Sequence, residues 1–379
     1  MNDKRLDLLR LILALAVVAG GAMVLMHRMR GGPDADGGQA AERGRTPYQL
    51  TWVSPDELQV HGRTMGPIPF KLILFPGEAT VDQAERAAAD SYAVLDRINR
   101  HMSAYLPDSD LSRLNEAPAG RAVTLDGELL ALLEAAGDYT ARTDGAFDPT
   151  ARRLFQLWAA AGRTDRLPTD EQIAGALAMT GWRHLALDRP SGTAVKAIDT
   201  LQVDLGAIAK GYAVDQVIEA MRSAGMEAGL AEVGGEVRVF GPGPRDGAWL
   251  LGITDPFASA DSGGRLAGTL AVTDRAVATS GNYYRFSVIG GRRYSHIIDP
   301  RTGRPADAVP SVTVIAGDCM TADVWATALS VLGPEGLTKI EAMDGVEAMM
   351  IIGRQGNAHV LQTPGFAAYL RGEIDLSAQ

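Results

Sequence analysis

Apolar positions along the chain recur at two spacings, and the spacing switches wherever Gly, Pro and Asp cluster. Alternation at every second residue around 58–60 and 70–75 predicts strands, as do the stretches 249–254, 266–272, 311–316, 346–352 and 358–362. Elsewhere the period lengthens. Ala87, Tyr92, Val94, Leu95, Ile98 and Met102 mark one long helix over 81–102. Leu129, Leu130, Leu132, Leu133 and Ala136 mark a second over 126–143, and 151–182 reads as helical in parts, with Trp158 and Trp182 in the core. Ser109 or Asp110 is suited to cap a short helix in the polar loop that begins at Met102. Strands and helices mix without a fixed short repeat. That pattern predicts an α+β (mixed α/β) fold, as one large domain or two halves around one core.

The stretch 201–215 organises the rest. Residues 201–203 read as the end of a strand, Gly206 as a tight turn, and Ile208, Val214, Val217, Ile218 and Met221 as the buried face of a helix closed by Gly225. A glycine turn followed by a helix N-terminus carrying Lys210 forms an anion receptor, because free N–H groups, the positive dipole end and an ammonium point one way. The same residues also suit an ordinary strand–turn–helix with a solvated lysine. Residues 232–240 read as a strand in which the pair Gly234-Gly235 marks either a bulge or a close approach of ligand or backbone.

Three other stretches carry chemistry. A helix opening at Asp318 and stopped by Gly333-Pro334 puts Asp323 and Thr327 four residues apart, hence on one face. A carboxylate and a hydroxyl there form a hard-oxygen pair suited to Mg²⁺, or simply a solvated face. Asp323 stands among Ala and Trp, where an unpaired carboxylate is costly. His296 lies on an expected strand just before Asp299-Pro300-Arg301-Thr302-Gly303, the second half of a hairpin framed by 278–286 and 294–303. It is either a structural histidine or a proton-transfer group at a strand end. Tyr105 at a loop tip suits stacking on a planar ligand or plain packing. In the turn 144–150, Ala146-Phe147 is apolar for an exposed loop, which implies packing on a ligand or the core.

Bulk properties narrow the class. The 379 residues are 46% hydrophobic and carry a net charge of −10 without a Lys/Arg run, so nucleic acid is an unsuitable partner. One cysteine, Cys319, excludes an internal disulfide framework and a CxxC metal site. Lys4, Arg5 and Arg10 precede an apolar run over 11–26, so residues 1–30 read as a signal-anchor or signal peptide, retained rather than cleaved. Residues 31–46 are rich in Gly, Pro, Asp and Gln and read as a flexible linker, with the folded domain expected over 47–379.

Taken together, segments 102–115, 144–150, 204–215, 233–236, 279–283, 296–303 and 318–329 resemble the FAD:protein FMN transferases, the ApbE family. They follow the family's order over about residues 50–370, and DLGAIAKGYAVD, HIIDPRTG and the Asp323/Thr327 helix are together specific. The resemblance implies a mostly antiparallel sheet flanked by helices, and an enzyme that splits FAD at its pyrophosphate with Mg²⁺. FMN would pass to a Thr or Ser hydroxyl of a target protein and AMP would be released. Met65, Tyr105, Ala146, Phe147, Asp148, Asp204, Lys210 and Ile297 match positions that contact FAD in the family. The Ala207 carbonyl, Asp323 and Thr327 match its Mg²⁺ ligands, and His296 its catalytic base. The chain departs from the family after Met65-Gly66, where Pro67-Ile68-Pro69 replaces the usual Thr and aromatic. Further implications are attachment to the bacterial inner membrane through residues 1–30, a catalytic domain on the periplasmic side, and a membrane electron-transfer subunit as target. Two other readings share the same residues: an Mg²⁺-dependent FAD pyrophosphatase, and a non-catalytic, membrane-tethered flavin-binding accessory protein.

Overall fold

The alternation around 58–60 and 70–75 opens into a longer meander in the computed structural model, which describes residues 47–258, 264–282 and 286–377. Strands Tyr48–Ser54, Glu57–Thr64 and Ile68–Phe75 pair in turn, then continue through Ala228–Val233, Glu236–Phe240, Ala276–Gly281, Ser311–Ala316, Glu347–Arg354 and Asn357–Gln362. These nine strands form one sheet in chain order, and every pairing within it is antiparallel. Period-2 alternation sends Leu72, Leu74, Ala231, Val233, Val312 and Val314 to one face and Leu230, Val237, Val239, Ile315 and Met349 to the other.

The first face is covered by helices Val81–Met102, Ala209–Ser223 and Cys319–Leu332. The 81–102 helix has the boundaries its periodicity predicts, because Thr80 and Gln83 close a capping box at its start. On the second face lies the hairpin Trp249–Thr254 with Leu266–Val272, together with Phe366. Residues 76–227, between the third and fourth strands, fold as a helical insert. It contains Asp110–Glu116 capped by Ser109, Gly127–Arg142 capped by Asp126, Arg152–Thr164 and Asp170–Ala178. It also holds a three-stranded sheet of Ala122–Thr124, Thr193–Lys196 and Leu185–Asp188, which the periodicity does not reveal. Trp158 is buried with Leu154 and Ile173 in a small cluster beside the hairpin Phe286–Ile289/Arg292–Ser295, whereas Trp182 is partly buried against the main core.

Three expectations need correction. Residues 201–203 form no strand, and Gln202 makes only one isolated bridge to Ala151. The stretch 232–240 is not a single strand but a hairpin turning at Gly234 and Gly235, whose φ values of 65° and 106° exclude most side chains. His296 stands one residue beyond its strand, which ends at Ser295. The signal-anchor and linker readings fall on 1–46, outside the described residues, and among the described residues no helix is long and apolar enough to cross a membrane.

Candidate functional site

The helices that begin at Ala209 and Cys319 cross closely, and a glycine at the crossing allows it. A Cβ on Gly211 would collide with the Cys319 carbonyl. Asp215, one turn further along the first helix, fastens the junction. Its carboxylate accepts from the N–H groups of Cys319 (2.8 Å) and Met320 (2.9 Å) and from Arg238 Nη1 (2.9 Å). Burial nevertheless pushes Asp215 up to about 6, against the pull of those bonds. Asp318 caps the second helix by accepting from Thr321 N at 2.7 Å.

This crossing puts Lys210 beside Asp323. The lysine Nζ donates to both carboxylate oxygens of Asp323 at 3.1 Å and to Glu236 Oε1 at 2.9 Å. Gly211 N donates to Asp323 Oδ2 at 3.1 Å, so the anion at this helix N-terminus is Asp323 itself. The expectation of a lysine free to receive an outside anion is therefore not met. Burial opposes charge on Lys210, but Asp323 and Glu236 outweigh it and hold the ammonium protonated above the ordinary lysine range. Burial is also the main force on Glu236, raising its carboxyl to about 8. Lys210 opposes the shift and Asp323 adds to it. Glu236 Oε2 is buried without a hydrogen-bond partner. Once Glu236 is ionised, two carboxylates face one ammonium, and the surplus charge is negative.

The cluster lies at one end of the large sheet. Gly234 and Gly235 turn there, and Gly234 N donates to Pro69 O at 3.0 Å, beside the turn that holds Met65 with its positive φ of 48°. Thr327, one helical turn beyond Asp323 and half-buried, has its Oγ1 3.4 Å from Ser280 Oγ at the end of the 276–281 strand. The next residue, Asn282, reaches the Asp307 carbonyl at 3.4 Å, and the Asp307 carboxylate accepts from Ser295 N at 2.7 Å. Exposed His296 follows directly. Ile297 beside it has a buried side chain, and its carbonyl accepts from Ala306 N at 2.9 Å.

A second group adjoins the first through residues 204–210. Asp204 accepts from Arg152 Nη1 at 3.0 Å and from Gly206 N at 2.9 Å, while its own N–H reaches Pro149 O at 2.7 Å. Arg152 also lies over the Tyr105 ring, 5.0 Å from its centroid, and Tyr105 is 79% exposed. Ala207 is half-buried between Asp204 and Lys210. Ala146 and Phe147 pack into the main core, 2% and 3% exposed. Asp148 borders a cleft of about 310 Å³ lined also by Thr180, Gly181, Arg183 and Arg301. Burial raises the Asp148 carboxyl, while Thr150 N and Oγ1 donate to it at 2.8 and 2.6 Å.

Lys210 and Asp323 are thus brought together directly, with Thr327 one helical turn beyond Asp323. Asp204, Asp148 and Tyr105 are gathered through Arg152 and the 148–150 turn, and His296 reaches the same sheet end through Asp307 and Asn282. Glu236 and Arg152 were not singled out from the sequence. Glu236 does follow the glycine pair, and Arg152 follows Asp148-Pro149-Thr150-Ala151, so each neighbours a flagged turn. The oxygen set of Asp323, Thr327 and the Ala207 carbonyl suits a hard cation, and the unpartnered Glu236 oxygen in the same cluster is consistent with one. Among the described residues, however, no three His, Cys, Asp or Glu side chains converge as a metal site.

The ApbE family model matches residues 69–350. A FAD:protein FMN transferase of Vibrio cholerae is 36% identical over 302 residues, 78% of this chain and 88% of the relative. One from Escherichia coli K12 is 30% identical over 322 residues, covering 83% and 89%. The solved flavin transferase ApbE from Vibrio cholerae superposes with a TM-score of 0.72 at 35% identity, covering 83% of this chain and all of that one. On the family model, these relatives and the shared antiparallel architecture, the chain belongs to the ApbE family.

Proposed function

We propose that this enzyme transfers FMN from FAD to a Thr or Ser hydroxyl of a target protein and releases AMP. The observation that carries the reading is the Lys210–Asp323–Glu236 cluster, set at the sheet end with Thr327 and flanked by the Asp204–Arg152–Tyr105 group. In the reaction the acceptor oxygen bonds to the phosphorus on the FMN side, the P–O–P bridge breaks, and AMP leaves with the bridging oxygen. Exposed His296 takes the hydroxyl proton, a task suited to an imidazole near neutral pH. Tyr105 is a largely exposed ring suited to a planar flavin or purine, and Arg152 contacts both that ring and Asp204. Lys210 donates to both Asp323 oxygens and so fixes the carboxylate in the place from which it would ligate a cation. Asp323, Thr327 and the Ala207 carbonyl would hold Mg²⁺. When bound, the ion would neutralise charge on the diphosphate oxygens. Phosphoryl-type transfer asks for this positioning more than for covalent work by the protein.

The test is to incubate the full-length chain with FAD, Mg²⁺ and an extract of host membranes, then to scan a denaturing gel for flavin fluorescence. The expected result is a fluorescent target band that His296→Ala abolishes while FAD binding persists. Release of AMP and free FMN with no labelled protein would instead make the enzyme a pyrophosphatase. We also take residues 1–30 as a retained inner-membrane anchor with the catalytic domain in the periplasm and a membrane electron-transfer subunit as target. Recovery of the chain in a soluble fraction with a processed N-terminus would overturn the anchor.

A further inference from the structure

Lys196 is 1% exposed, and no carboxylate lies within ion-pair distance of it among the described residues. Its Nζ donates instead to three main-chain carbonyls, those of Asn115 (2.7 Å), Asp199 (3.1 Å) and Leu201 (3.2 Å). The Asn115 side chain completes the device by treating Val203 as a strand would. Its Nδ2 donates to Val203 O at 2.9 Å, and its Oδ1 accepts from Val203 N at 2.7 Å. A surface pin adds to it, Ala119 N donating to Asp199 Oδ1 at 2.6 Å. Residues 199–203 have no sheet to hold them, since Gln202 makes only a single bridge. Four hydrogen bonds from Lys196 and Asn115 therefore replace a strand ladder, and a fifth, from Lys196 to the Asn115 carbonyl, ties the two side chains' segments together. The next residue is Asp204, and Ala207 and Lys210 follow within two turns of chain.

We propose that Lys196, with Asn115, is a positioning residue for FAD: it fixes the backbone that delivers Asp204 to the substrate. A buried lysine bonded only to carbonyls is a costly choice, since an apolar side chain would fill the space without a desolvated charge. An ammonium differs from such a filler in gathering three carbonyls from two separate segments to one point. A shift of about an ångström in a substrate-holding group is enough to lower productive binding. The inference rests on the proposed FMN-transfer reading, within which it assigns a function to a side chain remote from the substrate.

The test is a double-mutant cycle on the full-length enzyme, read as the KM for FAD and kcat of FMN transfer, with folding checked by thermal denaturation. Lys196→Met is expected to raise the KM for FAD by about tenfold with a smaller change in kcat. In an Asp204→Asn background the same substitution is expected to change KM by less than about twofold, because the group it positions is already gone. An equal factor in both backgrounds, or a lower melting temperature with KM unchanged, would reduce Lys196 to a purely structural role and overturn the proposal. Should Lys196→Met not fold, Asn115→Asp serves in the same cycle, since it keeps the acceptor for Val203 N and loses the donor to Val203 O. Wild-type enzyme that neither binds FAD nor labels a target would sink the functional reading itself, an outcome distinct from any of these.

Discussion

Lys210 is partly and Lys196 almost wholly withdrawn from bulk water, and their partners are opposite in kind. Lys210 sits between two carboxylates and is held charged beyond the ordinary range. Lys196 sits among three carbonyl oxygens, and burial pulls its affinity for a proton down. The first arrangement gathers two carboxyl groups around one ammonium at a sheet end. The second has no ion pair among the described residues, only the more distant pull of the Asp199 carboxylate, and its direct bonds are all to backbone. Burial of a lysine is therefore uninformative by itself, and what surrounds it separates an ion-paired cluster from a set of backbone bonds.

Substitutions at and beside the two lysines test that contrast. Lys210→Met is expected to have the largest effect, leaving Asp323 and Glu236 buried without their cation at a cost of about 3–5 kcal/mol in denaturant unfolding at neutral pH. A loss below about 1 kcal/mol would mean that solvent already holds those carboxylates apart. Asp323→Ala removes the acid instead. Wild-type protein should gain about 2.7 kcal/mol when Mg²⁺ is a hundredfold above its Kd, and this gain is expected to vanish in the variant. Survival of the Mg²⁺-induced shift in melting temperature would take Asp323 out of the metal set. Lys196→Met strands three carbonyls rather than two charges, so about 1–3 kcal/mol is expected, less than for Lys210→Met under identical conditions. The reverse ranking would break the comparison.

A third buried lysine sharpens it at the small end. Lys71 faces Glu232 across a strand pair, and Glu232 Oε1 accepts from Gly235 N at 2.7 Å. Burial raises Glu232 from 4.5 to about 7. The folded state then binds the proton more tightly than the unfolded chain. The resulting stability is complete below about pH 4.5 and is lost as pH rises towards 7. Glu232→Gln should flatten that slope by on the order of 1 kcal/mol, measured as unfolding free energy at pH 5 and pH 8. Parallel curves for the two proteins would assign the slope to other groups.

Legibility in the sequence followed the range of the interactions. The helix over 81–102 was readable because its cap, its apolar stripe and its end are all local. Asp323 was readable because a carboxylate among Ala and Trp demands a partner. Which partner was not readable, since Lys210 lies 113 residues from Asp323 and 26 from Glu236. The hairpin over 228–240 was hidden because most of both strands is buried on both faces, which erases the alternation that marks a strand end. Lys196 and Asn115 gave no signal, because their partners lie up to 88 residues away and are backbone atoms, which have no side-chain identity to read.

The strands of the large sheet follow chain order, yet residues 76–227 separate the third from the fourth. During synthesis Ile68–Phe75 therefore waits with one side unpaired until Ala228–Val233 emerges. Its waiting residues include Phe70, Leu72 and Leu74, all buried in the finished protein. An apolar, unpartnered strand of this kind is a template for pairing with other chains, and closing so long a loop is slow. The helical insert is the chain that spans this gap, so its folding sets how soon the two strands come within reach of each other.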